Sequence, residues 1–156
     1  MAMNPRNSRK RIKVNVGDVF AVPIDQDELV FGYVRTYRDP DVAILPFISK
    51  GRMLHASELP TLESFLDVLT LRTAIERGEW PRIASFPFED EESTWAPPRR
   101  QLSAIRPDVR LVIVKGNLVP AEKYGEWDTL PVHIKADTGQ LKALILMSSA
   151  EFPVIS

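Results

Sequence analysis

The chain has 156 residues, enough for one domain or for one domain with a short arm. A domain of this length buries about 70% of the surface its unfolded chain exposes, so it needs neither disulfides nor a structural metal. With 44% hydrophobic and 26% charged residues it falls outside the disordered class, and a net charge of −1 sets up no global field toward nucleic acid or membrane. Cysteine is absent, which excludes a disulfide scaffold, a thiolate metal site and a cysteine nucleophile.

The first residues are basic, with Arg6, Arg9, Lys10, Arg11 and Lys13. No apolar run with a small-residue cleavage site follows, so no signal peptide is expected. Residues 1–11 read as a flexible basic arm and 12–156 as a single α+β domain. No apolar stretch approaches the ~20 residues that span a bilayer. The chain therefore reads as a soluble, cytoplasmic protein.

Thirteen prolines keep the expected elements short, because proline lacks a ladder donor and restricts the residue before it. Ile12, Val14 and Val16 alternate with polar residues as in a half-buried strand. Gly17 and Asp18 then form a turn, and residues 19–24 form an apolar strand. Residues 29–37 predict the next strand, with Leu29, Phe31, Tyr33, Arg35 and Tyr37 on one face. Gly32 inside it marks a bulge or a close backbone approach. After the turn at Asp39, Pro40 and Asp41, residues 42–47 read as a fourth strand, placed at an edge by Pro46.

The helix candidate starts at Thr61. Leu62, Phe65, Leu66 and Leu69 recur at helical spacing, Ile75 continues the face, and Gly78 ends it. Residues 80–86 return to β character around Trp80. A polar loop around Trp95 then carries Glu89, Asp90, Glu91 and Glu92 on one side and Arg99 and Arg100 on the other. Residues 110–115 form a strand. Residues 130–134 and 141–147 read as a closing hairpin about Asp137, Thr138 and Gly139. The fold class is α+β, mainly β: a small curved antiparallel sheet or SH3-like barrel with one main helix.

Two stretches carry a family resemblance. Val16, Gly17, Asp18, Val19, Phe20, Ala21, Val22, Pro23 and Ile24, followed by Phe31, Gly32, Tyr33 and Val34, resemble the opening of the immunity protein 26 family. Gly78, Glu79, Trp80, Pro81, Arg82 and Ile83 resemble the tryptophan-centred strand that follows the helix there. Ala84 departs from the pattern, standing where the family's glycine is expected, and the last third of the chain matches nothing. The resemblance implies a non-enzymatic binder that neutralises a toxin of a bacterial polymorphic toxin system by direct contact.

The residues offer partner-binding candidates of that kind. Clustered carboxylates at Glu89, Asp90, Glu91 and Glu92 speed association with a basic partner, and tryptophan is enriched among interface hot spots, so Trp95 reads as an anchor. The alternative is a solvated loop whose Trp95 folds back on the core. Tyr124 and Trp127, among Glu122, Glu126 and Asp128, form a second candidate patch. Arg99, Arg100, Arg106 and Arg110 make a basic cluster offset by Asp108.

Catalytic equipment is sparse. Two histidines, His55 and His133, without cysteine make a metal site unexpected, and neither stands at a spacing that suggests a triad. No catalytic residue, metal or cofactor is expected, and neither membrane nor nucleic acid is an expected partner. Two rival readings remain. A small-barrel toxin-type endoribonuclease would rely on Arg35 and Thr36, and a nucleic-acid-binding module would need a basic face with exposed aromatics.

Overall fold

The computed structural model describes residues 11–103 and 105–156. Of the expected basic arm only Arg11 falls among them, paired with Glu76 at 3.0 Å. The centre of the fold is a meander of β1 (Asp18–Asp25), β2 (Val30–Thr36) and β3 (Asp41–Lys50), joined antiparallel. These strands are apolar on both faces and buried on both, as a sheet covered on each side requires. Phe20, Val22, Val34, Val42 and Ile44 enter one core cluster, while Val19, Ala21, Tyr33, Leu45 and Phe47 enter another on the opposite face.

Further strands extend this sheet. β4 (Leu66–Leu69) pairs with β3, and β5 (Arg82–Ser85) pairs with β1, both antiparallel. Between them lies the single-turn helix α1 (Thr73–Glu76). A second sheet is the small antiparallel set of β6 (Arg99–Gln101), β7 (Leu111–Val114) and β8 (Asn117–Pro120). The short helix α2 (Ala121–Tyr124), β9 (Ile134–Lys135), the helix α3 (Thr138–Ser148) and β10 (Val154–Ile155) complete the chain. β9 joins β4 and β10 joins β3, both in parallel. The main sheet runs β5-β1-β2-β3-β4-β9 with free ends at β5 and β9, so it curves without closing into a barrel. The class is α+β and mainly β, as expected.

Two glycines fix the meander. Gly17 has φ +92°, and a Cβ there would strike the Phe86 carbonyl oxygen, so only glycine allows the turn into β1. Gly32 lets α3 sit on the sheet, since a Cβ would lie 2.6 Å from Ile145 Cγ2. The expected close approach at Gly32 is present, and the β2–β3 register also shifts between Gly32 and Val34.

Four expectations change. Residues 12–16 run extended with alternating burial but join no strand ladder; Ile12 instead donates its N–H to the Glu76 carbonyl at 2.8 Å. The third strand is central, with β2 on one side and β4 and β10 on the other. Pro46 is tolerated because it falls in the register shift opposite β2 and between the stretches paired to β4 and β10.

The helix expected from Thr61 is absent. Leu66 and Val68 alternate into the core as β4 pairs with β3, while Phe65 is 45% exposed and meets Phe152 edge-on at 4.9 Å. The period was two rather than 3.6, and the helix shrinks to α1. Trp80 lies in the core, 1% exposed.

The closing hairpin is a helix instead. Asp137 caps α3 by accepting from the Gln140 N–H at 2.7 Å, and the Gln140 side chain accepts from the Asp137 N–H at 2.9 Å. That capping box satisfies two backbone donors at the helix start. Leu141 and Ile145, four residues apart, bury against the sheet. The one main helix of the fold is therefore α3.

Candidate functional site

The acidic loop leaves β5 on a fixed root. Arg35, on β2, donates from its guanidinium to the Phe86 and Pro87 carbonyls and lies 3.6 Å over the Phe88 ring. Phe88 in turn stacks on Tyr37, ring centres 5.6 Å apart. Asp90 accepts from the Ser93 N–H at 2.8 Å and opens a 3₁₀ turn at Glu92–Thr94. The Ser93 N–H first, and the Ser93 hydroxyl second, hold the Asp90 carboxyl below the ordinary carboxylate range. The Thr94 carbonyl then accepts from the Arg38 N–H at 2.7 Å, which ties the loop back to the end of β2.

Beneath the loop lies a groove of about 420 Å³. Tyr37, Phe88 and Ala96 form its floor, Leu62, Trp95 and Val114 its walls, and Glu92 and Lys115 its rim. A second hollow of about 330 Å³ adjoins it across Phe88 and is flanked by Arg35, Glu63 and Glu89. The Tyr37 hydroxyl donates to Asp67 Oδ1 at 2.7 Å; burial first, and the Asp67 charge second, push the phenol well above its ordinary value, so it stays neutral.

Glu89, Asp90, Glu91 and Glu92 are all exposed; Glu92 lines this groove and Glu89 the second hollow. Two carry the chain's own cations. Arg38 meets Glu91 at 3.6 Å, and Lys115 meets Glu92 at 2.6 Å. Arg38 also lies 5.6 Å over the half-buried Trp95 ring. Sequence reasoning missed Arg38, Lys115, Phe88 and the Tyr37 floor, because they reach the loop from distant parts of the chain.

Tyr124 and Trp127 belong to a different place. Trp127 donates its indole N–H to the Leu111 carbonyl at 3.1 Å, and Arg100 and Arg110 each lie 5.1 Å from its ring. It lines a hollow of about 340 Å³ with Glu122, Glu126 and Asp128. The groove and this hollow flank opposite ends of β7 and share no lining residue. Tyr124 is half-buried at the end of α2 and lines neither.

The expected basic cluster does not form. Arg99 is 2% exposed and paired with Asp41, itself 2% exposed, while Arg100 and Arg110 cover Trp127 and Arg106 pairs with Asp108 at 3.2 Å. Nor do Arg35 and Thr36 offer a reactive pair. Arg35 is held as described, and Thr36 is fully buried with its hydroxyl donating to the Asn15 carbonyl at 2.8 Å.

The histidines stand apart. His55 is exposed at the head of a short turn, and its N–H donates to Glu58. His133 faces the inter-sheet space that Asp39 and Asp41 also line. Burial first, then the Arg99 charge, lower its pKa from the ordinary 6.5. Below 6.5 the unfolded chain takes up a proton that the folded chain refuses, so stability should fall as pH drops toward the folded value. A His133→Gln variant should show a shallower fall in urea midpoint between about pH 7.5 and pH 5 than the parent chain. Equal slopes would show that His133 contributes nothing to acid sensitivity.

Among the described residues no group of three or more His, Asp and Glu is arranged to hold a metal ion, and no helix is long and apolar enough to cross a membrane. No curated protein and no solved structure matches the chain significantly. The family model for immunity protein 26 matches residues 15–110, well over half of the chain. The match takes in the meander, Trp80, the acidic loop, Trp95 and β6; Ala84, the one departure noted in the motif, sits opposite Val19 in the β5–β1 ladder. The acidic loop and most of the groove therefore lie inside the matched region, while Val114 and Lys115 of the groove, with Tyr124, Trp127 and α3, lie outside it, and the chain belongs to the immunity protein 26 family.

Proposed function

We propose that this protein neutralises its cognate toxin by direct protein–protein contact, through the face carrying Glu89, Asp90, Glu91, Glu92 and Trp95. The observation that carries the proposal is the mainly apolar groove lined by Trp95, with Glu92 at its edge and the exposed carboxylates of Glu89, Asp90 and Glu91 in the same loop. Interfaces concentrate their energy in desolvated aromatic pockets, and rim charges govern the rate of encounter. Protection requires tight binding: a Kd of about 1 nM corresponds to about −12.3 kcal/mol. An interface of about 1,600 Å² in total is the usual size for such a complex. An interface of that area extends beyond one groove, so Tyr124 and Trp127 at the far end of β7 serve as the outer part of the same contact. The meeting takes place in the cytoplasm, with neither metal nor cofactor involved. Nothing in the geometry favours RNA cleavage, since Arg35 and Thr36 are bound up within the fold.

The test pairs the protein with the toxin domain encoded beside its own gene. Affinity and protection from toxicity are measured together. Trp95→Ala should weaken binding by roughly a hundredfold, about 2.7 kcal/mol. Charge reversal by Glu89→Lys should slow association, and more so at low salt. Unchanged affinity in both variants would remove this face from the contact. Failure of the toxin to bind at all would end the direct-contact reading.

A further inference from the structure

Two of the chain's own cations already engage the acidic loop at the groove: Lys115 lines it, and Arg38 lies over the ring of Trp95, which lines it. Arg38 arrives from the end of β2 and Lys115 from the turn between β7 and β8, and both reach up to the acidic loop. Their ion pairs are solvent-exposed at every partner, the carboxylates of Glu91 and Glu92 about three-quarters so (75% and 76%). Exposed pairs of this kind contribute about 0–1 kcal/mol, so they exchange readily. The surroundings nevertheless stay acidic, because Glu63, Glu89, Asp90, Glu91 and Glu92 stand against the three cations Arg35, Arg38 and Lys115.

Guanidinium on an aromatic ring is also a contact this region makes twice, Arg35 on Phe88 at 3.6 Å and Arg38 over Trp95 at 5.6 Å. Arginine prefers such sites because its planar group stacks while its edge donates to carboxylates. The groove interior is apolar, which suits an alkyl stem.

Resting on the reading of the protein as a direct toxin binder, we propose that the groove is a seat for an arginine side chain projected from a basic face of the toxin. That guanidinium packs against Trp95 and displaces Lys115 from Glu92. Lys115 and Arg38 act as internal stand-ins that compete with the partner for the same carboxylates.

The competition gives a test whose sign is distinctive. The full chain is titrated with acetyl-Gly-Arg-Gly-amide, and separately with the peptide carrying Glu in place of Arg, while the Trp95 indole N–H is followed by NMR. The arginine peptide should shift that resonance with a Kd of the order of millimolar, and Lys115→Ala should tighten it about threefold. Glu92→Gln should weaken the peptide and abolish the gain from Lys115→Ala. A Trp95 resonance that ignores the arginine peptide, or responds equally to the glutamate one, overturns the proposal. So does a Lys115→Ala variant that binds more weakly.

With the toxin itself, Lys115→Ala should speed association and tighten binding, also about threefold. A toxin bound tightly but indifferent to both Lys115→Ala and Glu92→Gln overturns the arginine seat and leaves direct neutralisation standing. A toxin that does not bind overturns both.

Discussion

Replacing Arg99 by alanine should destabilise the protein by about 3–5 kcal/mol, because it leaves the Asp41 carboxylate buried without its partner. Asp41 opens β3 in the main sheet and Arg99 opens β6 in the small one, so this ion pair joins the two sheets across their boundary. Neither side chain reaches solvent, and Arg99 Nε donates further to the Pro97 carbonyl at 2.9 Å. Neighbouring Asp39 shows the local cost of charge: burial, and then the Asp41 charge, already push its pKa upward. Urea unfolding measures the loss. The double variant Asp41→Leu/Arg99→Met should recover most of it, since hydrophobic residues of similar size often replace a buried pair without penalty. If Arg99→Ala unfolds within about 1 kcal/mol of the parent, the pair does not hold the sheets together. Amide exchange locates the effect, with β7 expected to lose protection before β2.

Burial of Arg99 could not be read from the sequence. It follows two prolines in a polar run, and its partner lies across the fold at Asp41; only the approach of the two sheets makes the charge a core element. The β1–β3 meander was legible because its signals are local: the Gly17 turn, a continuous apolar run, and a glycine where another element comes close. The stretch 61–75 misled for a physical reason. Leu62, Phe65, Leu66 and Leu69 fit a helical stripe by spacing, yet Leu62 packs in one cluster and Leu66 in the other. Spacing alone does not say which face of which element a residue will meet.

The converse error fell on α3. Its residues 141–147 are apolar on nearly every side, with Leu146 and Met147 exposed, so no amphipathic period announces a helix. The capping pair Asp137 and Gln140 was in the sequence, but Gly139 between them reads equally well as a hairpin turn. At the candidate site the acids and Trp95 were visible as composition. The groove was not, because Tyr37 from the end of the meander, Leu62, and Val114 and Lys115 come to it from distant parts of the chain.

Truncating Ile145 to alanine should destabilise by about 2–5 kcal/mol, the usual range for a buried aliphatic that leaves a cavity. Ile145 is the residue of α3 that enters the space above Gly32, so the opposite change, Gly32→Ala, should overpack the same contact at about 1–3 kcal/mol. The two variants are therefore not independent. Removing Cγ2 and Cδ1 of Ile145 takes away the two atoms nearest the new Cβ and leaves Ile145 Cβ at 3.6 Å, an ordinary contact. The double variant should then be less destabilised than the sum of the singles by about 1–2 kcal/mol, measured as a coupling energy in urea. Simple additivity would mean that α3 does not rest on β2 in solution. Strong coupling would show that a helix outside the family-matched region shapes the meander inside it, and that Gly32 is needed for what packs on the sheet rather than for the backbone of β2 itself.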